Sequence, residues 1–171
     1  MQSTIEEKQM LTKDVVCGMQ VDADKNQLTY LGVSYSFCSK QCQERFLANP
    51  HLYIGLPGQK APKQQGLSVI KQRRLRLAQP LSSSQAKTLS DVLQTMMGIQ
   101  SVSVEGGSVV IAYDLLQATA EQIEEKLAEI GVQLGEGLVE RLRRAFVHYE
   151  EECEVGNLEV HVNKHIHRHP G

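Results

Sequence analysis

The chain has 171 residues, with 18 Lys and Arg against 20 Asp and Glu, a formal charge of −2, five Tyr, three Phe and no Trp. That length holds one or two small domains with at least one proper core. The charge offers no global attraction to nucleic acid or anionic lipid, and so few aromatic side chains argue against a base-stacking platform.

Residues 1–13 form a polar arm without the apolar centre of a secretory signal. No run approaches the about 18 apolar residues of a membrane span. The expectation is a soluble, cytoplasmic protein without membrane insertion. In that compartment clustered thiols read as metal ligands rather than disulfides.

Residues 14–55 make the first module. Three of the four cysteines, Cys17, Cys38 and Cys42, fall inside it. Cys38 and Cys42 have the i, i+4 spacing that puts two sulfurs on one face of a helix. Before them, Val33, Tyr35 and Phe37 alternate with small polar residues and Leu31-Gly32 marks a turn, so the segment reads as a hairpin. A hairpin doubles the chain back and returns Cys17 to the helix start. The inference is a small thiolate site closed by three cysteines.

The residues Asp14, Val16, Cys17, Gly18 and Met19, then Tyr30, Gly32, Tyr35, Phe37, Cys38 and Ser39, then Cys42, Phe46, Pro50 and Tyr53 form a pattern that resembles the YHS family of TRASH-like metal-binding domains. The resemblance implies a hairpin-plus-helix module with Cys17, Cys38 and Cys42 as metal ligands. It also implies a role in heavy-metal transport, sensing or trafficking, with Cu(I) or Zn(II) as the ion. Three thiolates leave a fourth position, for which Asp14, Met19 and His51 compete. A thioether at Met19 would favour Cu(I).

Residues 56–66, rich in Pro, Gly, Gln and Lys without periodicity, read as a linker. From Leu67 a second pattern starts. Leu67 to Ile70 and Arg73 to Ala78 look like strand. Ser82, Ser83 and Ser84 offer caps for a helix from Gln85 to Met97, which Gly98 closes. Val102 and Val104, the Gly106-Gly107 turn, and Val109 to Tyr113 form a hairpin. Thr119 and Gln122 make a capping box for a helix striped by Ile123, Leu127 and Ile130. Val132 to Leu134 is a short last strand. The order is β-α-β-β-α-β over residues 67–134, the ferredoxin-like arrangement, so the fold class is α+β.

Gly98, Ile99, Val102, Val104, Val109, Tyr113, Asp114, Thr119, Ile123 and Gly131 resemble the heavy-metal-associated domain. That family's Cys-x-x-Cys would fall at Ser82 and Gln85. A hydroxyl and an amide cannot supply thiolate charge, so metal binding is not carried over to this unit. It reads instead as a surface for a partner. The basic residues Lys71, Arg73, Arg74 and Arg76 read as a solvated strand face, or more sharply as a surface for an acidic partner.

Residues 135–171 lie outside both resemblances. Leu138, Leu142, Ala145, Phe146 and Tyr149 share one face of a helix from Gly137 to Cys153, with fraying expected at Glu150-Glu151-Glu152, where acids oppose the helix dipole. His161, His165, His167 and His169 form an imidazole-rich tail that, with Cys153, offers a second, weaker metal site. No nucleophile and base pair stands out, so no enzyme is expected.

The sequence thus points to a metallochaperone or metal buffer. Its partners would be a metal-transport ATPase, another metal-handling protein or a second copy of itself, with no nucleic acid. The competing reading is an adaptor protein whose zinc is purely structural.

Overall fold

Leu31 and Gly32 both take positive φ, 49° and 77°, the pair of left-handed conformations a two-residue type I′ hairpin requires. They join β3 (Leu28–Tyr30) to β4 (Val33–Tyr35), with Tyr30 opposite Val33. In the computed structural model, which describes residues 10–164 and their side chains through Val160, another hairpin precedes this one. β1 (Leu11–Lys13) pairs antiparallel with β2 (Gln20–Asp22). Residues 11–13, expected as part of a polar arm, are therefore a strand. Three residues are too few for alternation to declare it.

α1 (Lys40–Ala48) follows, with Ser39 at its N-cap accepting from the Cys42 amide at 3.4 Å. Phe46 on this helix gathers the aromatic residues of the first unit. Its ring lies 5.6 Å from Tyr30, 5.0 Å from Tyr35, 5.3 Å from Phe37 and 6.2 Å from Tyr53. Such tilted and edge-on pairs add about 0.5–1.5 kcal/mol each beyond burial.

The expected linker is structured. Ala61 is buried, Lys63–Gln65 forms a 3-10 turn, and the Gln64 side-chain oxygen accepts from the Ala61 amide at 2.8 Å. Lys63 reaches the Asp114 carboxylate at 3.7 Å. A loop-like composition conceals the Lys63 anchor because its partner lies far along the chain.

The second unit contains β5 (Ile70–Arg76), α2 (Ser83–Gln94), β6 (Ile99–Glu105), β7 (Ser108–Asp114) and α3 (Ala120–Glu129). The antiparallel sheet has the order β5-β7-β6. Val109, Ile111 and Tyr113 of the central strand are buried in one core with Leu89 and Leu93 of α2 and Ile123 and Leu127 of α3. Both helices begin with capping boxes, Ser82 with Gln85 and Thr119 with Gln122. The expected last strand is reduced to one bridge, Leu134 to Leu77, beyond the end of β5. The result is an α+β fold.

α4 (Leu138–Lys164) runs well past the predicted end at Cys153. The expected fraying does not occur. Glu151 is buried, accepts from the Tyr113 hydroxyl and, at 2.8 Å, from the Ala120 amide, and lies 3.9 Å from Arg73. Glu154 pairs with Lys71. The acidic run thus answers the basic face of β5, and because the helix continues to Lys164 it lies mid-helix, away from the last turn where the dipole would oppose it. Among the described residues no helix is long and apolar enough to cross a membrane.

Candidate metal centre

Cys17 lies in the tight loop between β1 and β2. The Asp14 amide donates to the Met19 carbonyl at 2.9 Å and the Gly18 amide to the Asp14 carbonyl at 2.8 Å. Gly18 has φ of +82°, which closes this knuckle without a Cβ penalty. Cys38 precedes α1, and Cys42 lies in its first turn. Both sulfurs stand at the positive end of the helix, a pull toward thiolate that burial and the neighbouring groups outweigh in the metal-free site.

The loops are held together by one buried carboxylate. Asp14 is fully buried, and its Oδ1 accepts from the Val16 amide at 2.8 Å and the Cys17 amide at 3.4 Å. Its Oδ2 accepts from the Cys38 amide at 2.8 Å. One side chain therefore ties the knuckle carrying Cys17 to the segment carrying Cys38. A hydrogen bond to a charged acceptor contributes about 1.5–3 kcal/mol.

The three sulfurs converge. Cys17 Sγ lies 3.5 Å from Cys38 Sγ, which lies 3.5 Å from Cys42 Sγ. All four cysteines are free. Ligand atoms of Asp14, Cys17, Cys38 and Cys42 fall within 4.8 Å of one another, a group able to hold a metal ion. Thiolates about 2.3 Å from a tetrahedral ion stand roughly 3.8 Å apart. The two 3.5 Å spacings need to open only slightly.

Electrostatics distinguishes the three thiols. The hydrogen bond from Cys42, larger than the opposing effect of burial, draws Cys17 down from its ordinary 9.0 to about 7. Burial pushes Cys38 up to about 11. The contact with Cys17, then burial and the Asp14 charge, push Cys42 well above the ordinary thiol range. In the metal-free site Cys17 is therefore the first of the three thiols to ionise as pH rises. An incoming cation displaces the remaining protons.

Cys42 is buried, but Cys17 and Cys38 are partly exposed. Cys38 opens onto a cleft of about 540 Å³ whose walls include Met19, Lys40, Met97, Gln122 and Glu125. The first unit supplies one wall and the second unit the other. Their seam is hydrogen-bonded. The Gln41 amide donates to the carbonyls of Met97 at 2.8 Å and Gln117 at 3.0 Å, and its oxygen accepts from the Met97 amide at 3.3 Å. Arg45 donates to the Leu115 carbonyl at 3.2 Å and Tyr53 to the Leu116 carbonyl at 2.5 Å.

Residues 12–56 match the YHS domain. Cys17, Cys38 and Cys42 all lie within the matched span, which covers the knuckle, the second hairpin and α1. Among solved structures, the CsoZ metallochaperone is similar at 22% identity, with a TM-score of 0.37, over 39% of this chain and 99% of that one. No curated protein matches the chain significantly.

The other expected ligands sit as follows. Met19 is 47% exposed on the rim of the cleft. His51 stands outside the thiol group, its ring packed edge-on against Tyr30 at 6.2 Å. Cys153 is exposed on α4 and joins no ligand group among the described residues. His161 lies within α4, where its side chain is outside the described residues, as are His165, His167 and His169 entirely. Ser82 and Gln85 are spent on each other. Ser82 Oγ accepts from the Gln85 amide at 3.3 Å, and Gln85 Oε1 accepts from the Ser82 amide at 2.9 Å. Sequence reasoning missed Gln41 as the link between the units. Nothing local marks it, because its partners lie 56 and 76 positions away.

Proposed function

We propose that this chain is a non-enzymatic metal carrier, a metallochaperone or metal buffer, that holds Cu(I) or Zn(II) as cargo on Cys17, Cys38 and Cys42. The observation that carries this reading is the sulfur cluster at the mouth of an open cleft, with sulfurs 3.5 Å apart and two of the three cysteines partly exposed. A soft or borderline cation suits such donors. An incoming thiolate can approach Cys38 through the cleft and replace the outgoing ligands one at a time. Asp14 already accepts three backbone amides, so it serves chiefly to position the thiols. Met19 on the rim is the better fourth contact when the cargo is Cu(I).

The second unit is read here as a ferredoxin-like, heavy-metal-associated domain that no longer binds metal. The β5-β7-β6 order, flanked by the Leu134 bridge to Leu77, supports this. A metal-transport ATPase or other metal-handling protein would be the recipient. A reducing, cytoplasmic location suits three free thiols this close. The imidazole-rich tail remains a second, weaker site in this reading.

The test is stoichiometry together with folding. Cys38→Ser protein should bind less metal and release it faster to a chelator. Wild-type protein stripped of metal should keep its circular dichroism and a cooperative melt. Unchanged metal content in Cys38→Ser rejects the carrier. Loss of the first unit's structure on stripping favours the structural-zinc adaptor.

A further inference from the structure

α4 has two faces of opposite character. Glu140, Arg144, Val147, His148, Glu151, Glu154, Val155 and Leu158 are buried or half-buried toward the body. The opposite face carries Val139, Leu142, Phe146, Tyr149, Cys153, Gly156 and Val160. Their spacing alternates three and four, the a and d positions of a heptad seam. Phe146, Tyr149 and Leu142 are 61%, 64% and 62% exposed, and Val139 is 67% exposed. A single helix face this apolar and this long is uncommon on an isolated monomer. Among the described residues no segment lies over it. The residues outside the description, 1–9 and 165–171, carry only Met1, Ile5, Ile166 and Pro170 as apolar side chains.

We propose that a second copy of the chain covers this face, with the two α4 helices antiparallel and centred between Val147 and His148. Charge selects this arrangement. In that register Phe146 stacks on Tyr149 of the other copy, Leu142 on Cys153 and Val139 on Gly156, giving six layers. The flanking positions then place Arg143 opposite Glu150 of the other copy, twice by symmetry, with no like-charged pair among them. A register shifted by one heptad, centred on Glu151, brings Glu150 against Glu150 and Glu152 against Glu152. A parallel pair in register leaves Arg143 beside Leu138 and Glu150 beside Ala145, with no ion pair across the seam for either; Arg143 keeps only its own-helix pair with Glu140 at 3.5 Å. Each body packs against its own helix from the side away from the seam, so the two bodies stand on opposite sides of the helix pair.

The 171-residue chain, kept reduced, is followed by sedimentation velocity and light scattering over a wide concentration range. A reversible dimer is expected. Phe146→Glu should be monomeric, with unchanged circular dichroism and unchanged metal stoichiometry. Arg143→Glu and Glu150→Arg should each weaken the dimer about tenfold or more, because each turns two attractive pairs repulsive. The double variant should restore it. Mild oxidation followed by peptide mapping should yield no Cys153–Cys153 disulfide. In the antiparallel register these residues stand about 16 Å apart along the axis, beyond the roughly 7 Å limit between bridged Cα atoms. A wild-type monomer at all concentrations overturns the proposal. So does monomeric protein that floats with anionic vesicles through the same face. A double variant no better than either single variant, or a Cys153 disulfide, overturns the antiparallel register.

Discussion

Removal of the Asp14 carboxylate is the sharpest perturbation of the site. Its two short bonds, to the Val16 and Cys38 amides, are both 2.8 Å; the carboxylate itself is fully buried, the first bond is buried and the second part-buried. Each is worth about 1.5–3 kcal/mol as a bond to a charged acceptor. Asp14→Ala therefore costs on the order of 4 kcal/mol in the metal-free protein. For a chain of this size 1 kcal/mol moves the melting temperature by about 2–4 °C, so a fall on the order of 10 °C is expected. Asp14→Asn keeps one oxygen but turns an N–H group toward the other amide. It loses about half as much.

Metal affinity separates positioning from ligation. If Asp14 positions the loops, chelator competition should show a modest loss in both variants that tracks the loss of metal-free stability. If Asp14 is itself a ligand, Asp14→Asn should lose tenfold or more in affinity while its metal-free melt stays at the wild-type temperature. That second result, or an unshifted melt for Asp14→Ala, would refute the reasoning.

Three other outcomes are expected. Alkylation of metal-free protein, followed residue by residue by mass spectrometry, should show Cys17 reactivity rising through about pH 7 and Cys38 reactivity only toward about pH 11. Because the Cys17 pKa is depressed below its ordinary 9.0, its stabilising contribution is full above pH 9 and lost as pH falls through about 7. The raised Cys38 acts in reverse, contributing below pH 9 and losing that contribution as pH rises through about 11. Gln41→Ala should leave the thiols intact but loosen the seam, seen as faster proteolysis between residues 56 and 66 and a stability loss of about 1–3 kcal/mol. Gly98→Ala should destabilise clearly by thermal melt, since φ there is +86° and a Cβ would stand 2.6 Å from that of Gln117.

Much of this architecture is visible in local sequence chemistry. The capping boxes at Ser82 and Thr119, the Leu31-Gly32 turn and the i, i+4 thiols all depend on residues within a few positions of each other. What the sequence hides depends on distant partners. The segment 56–66 has a linker's composition, yet Ala61 is buried and Lys63 reaches Asp114. Glu151 looks wrong for its place in a helix until Tyr113, Ala120 and Arg73 surround it. Asp14 could be read from sequence only as a ligand candidate. That its oxygens face the amides of Val16, Cys17 and Cys38 follows from the folding back of Cys38, 24 positions on.

The union of the two units bears directly on what the metal is for. A free-standing module of about 40 residues would need a staple, because so small a core cannot offset its own chain entropy. Here Phe37, Phe46, Leu52 and Tyr53 belong to the same buried cluster as Leu115, Leu116 and Ile111. Gln41, lying between two of the cysteines in sequence, is fixed by backbone atoms of the second unit. The helix that presents Cys42 is thus held in place by protein contacts. A site preorganised in this way can release its ion without losing the scaffold that binds the next one. That combination suits a carrier better than a structural clamp.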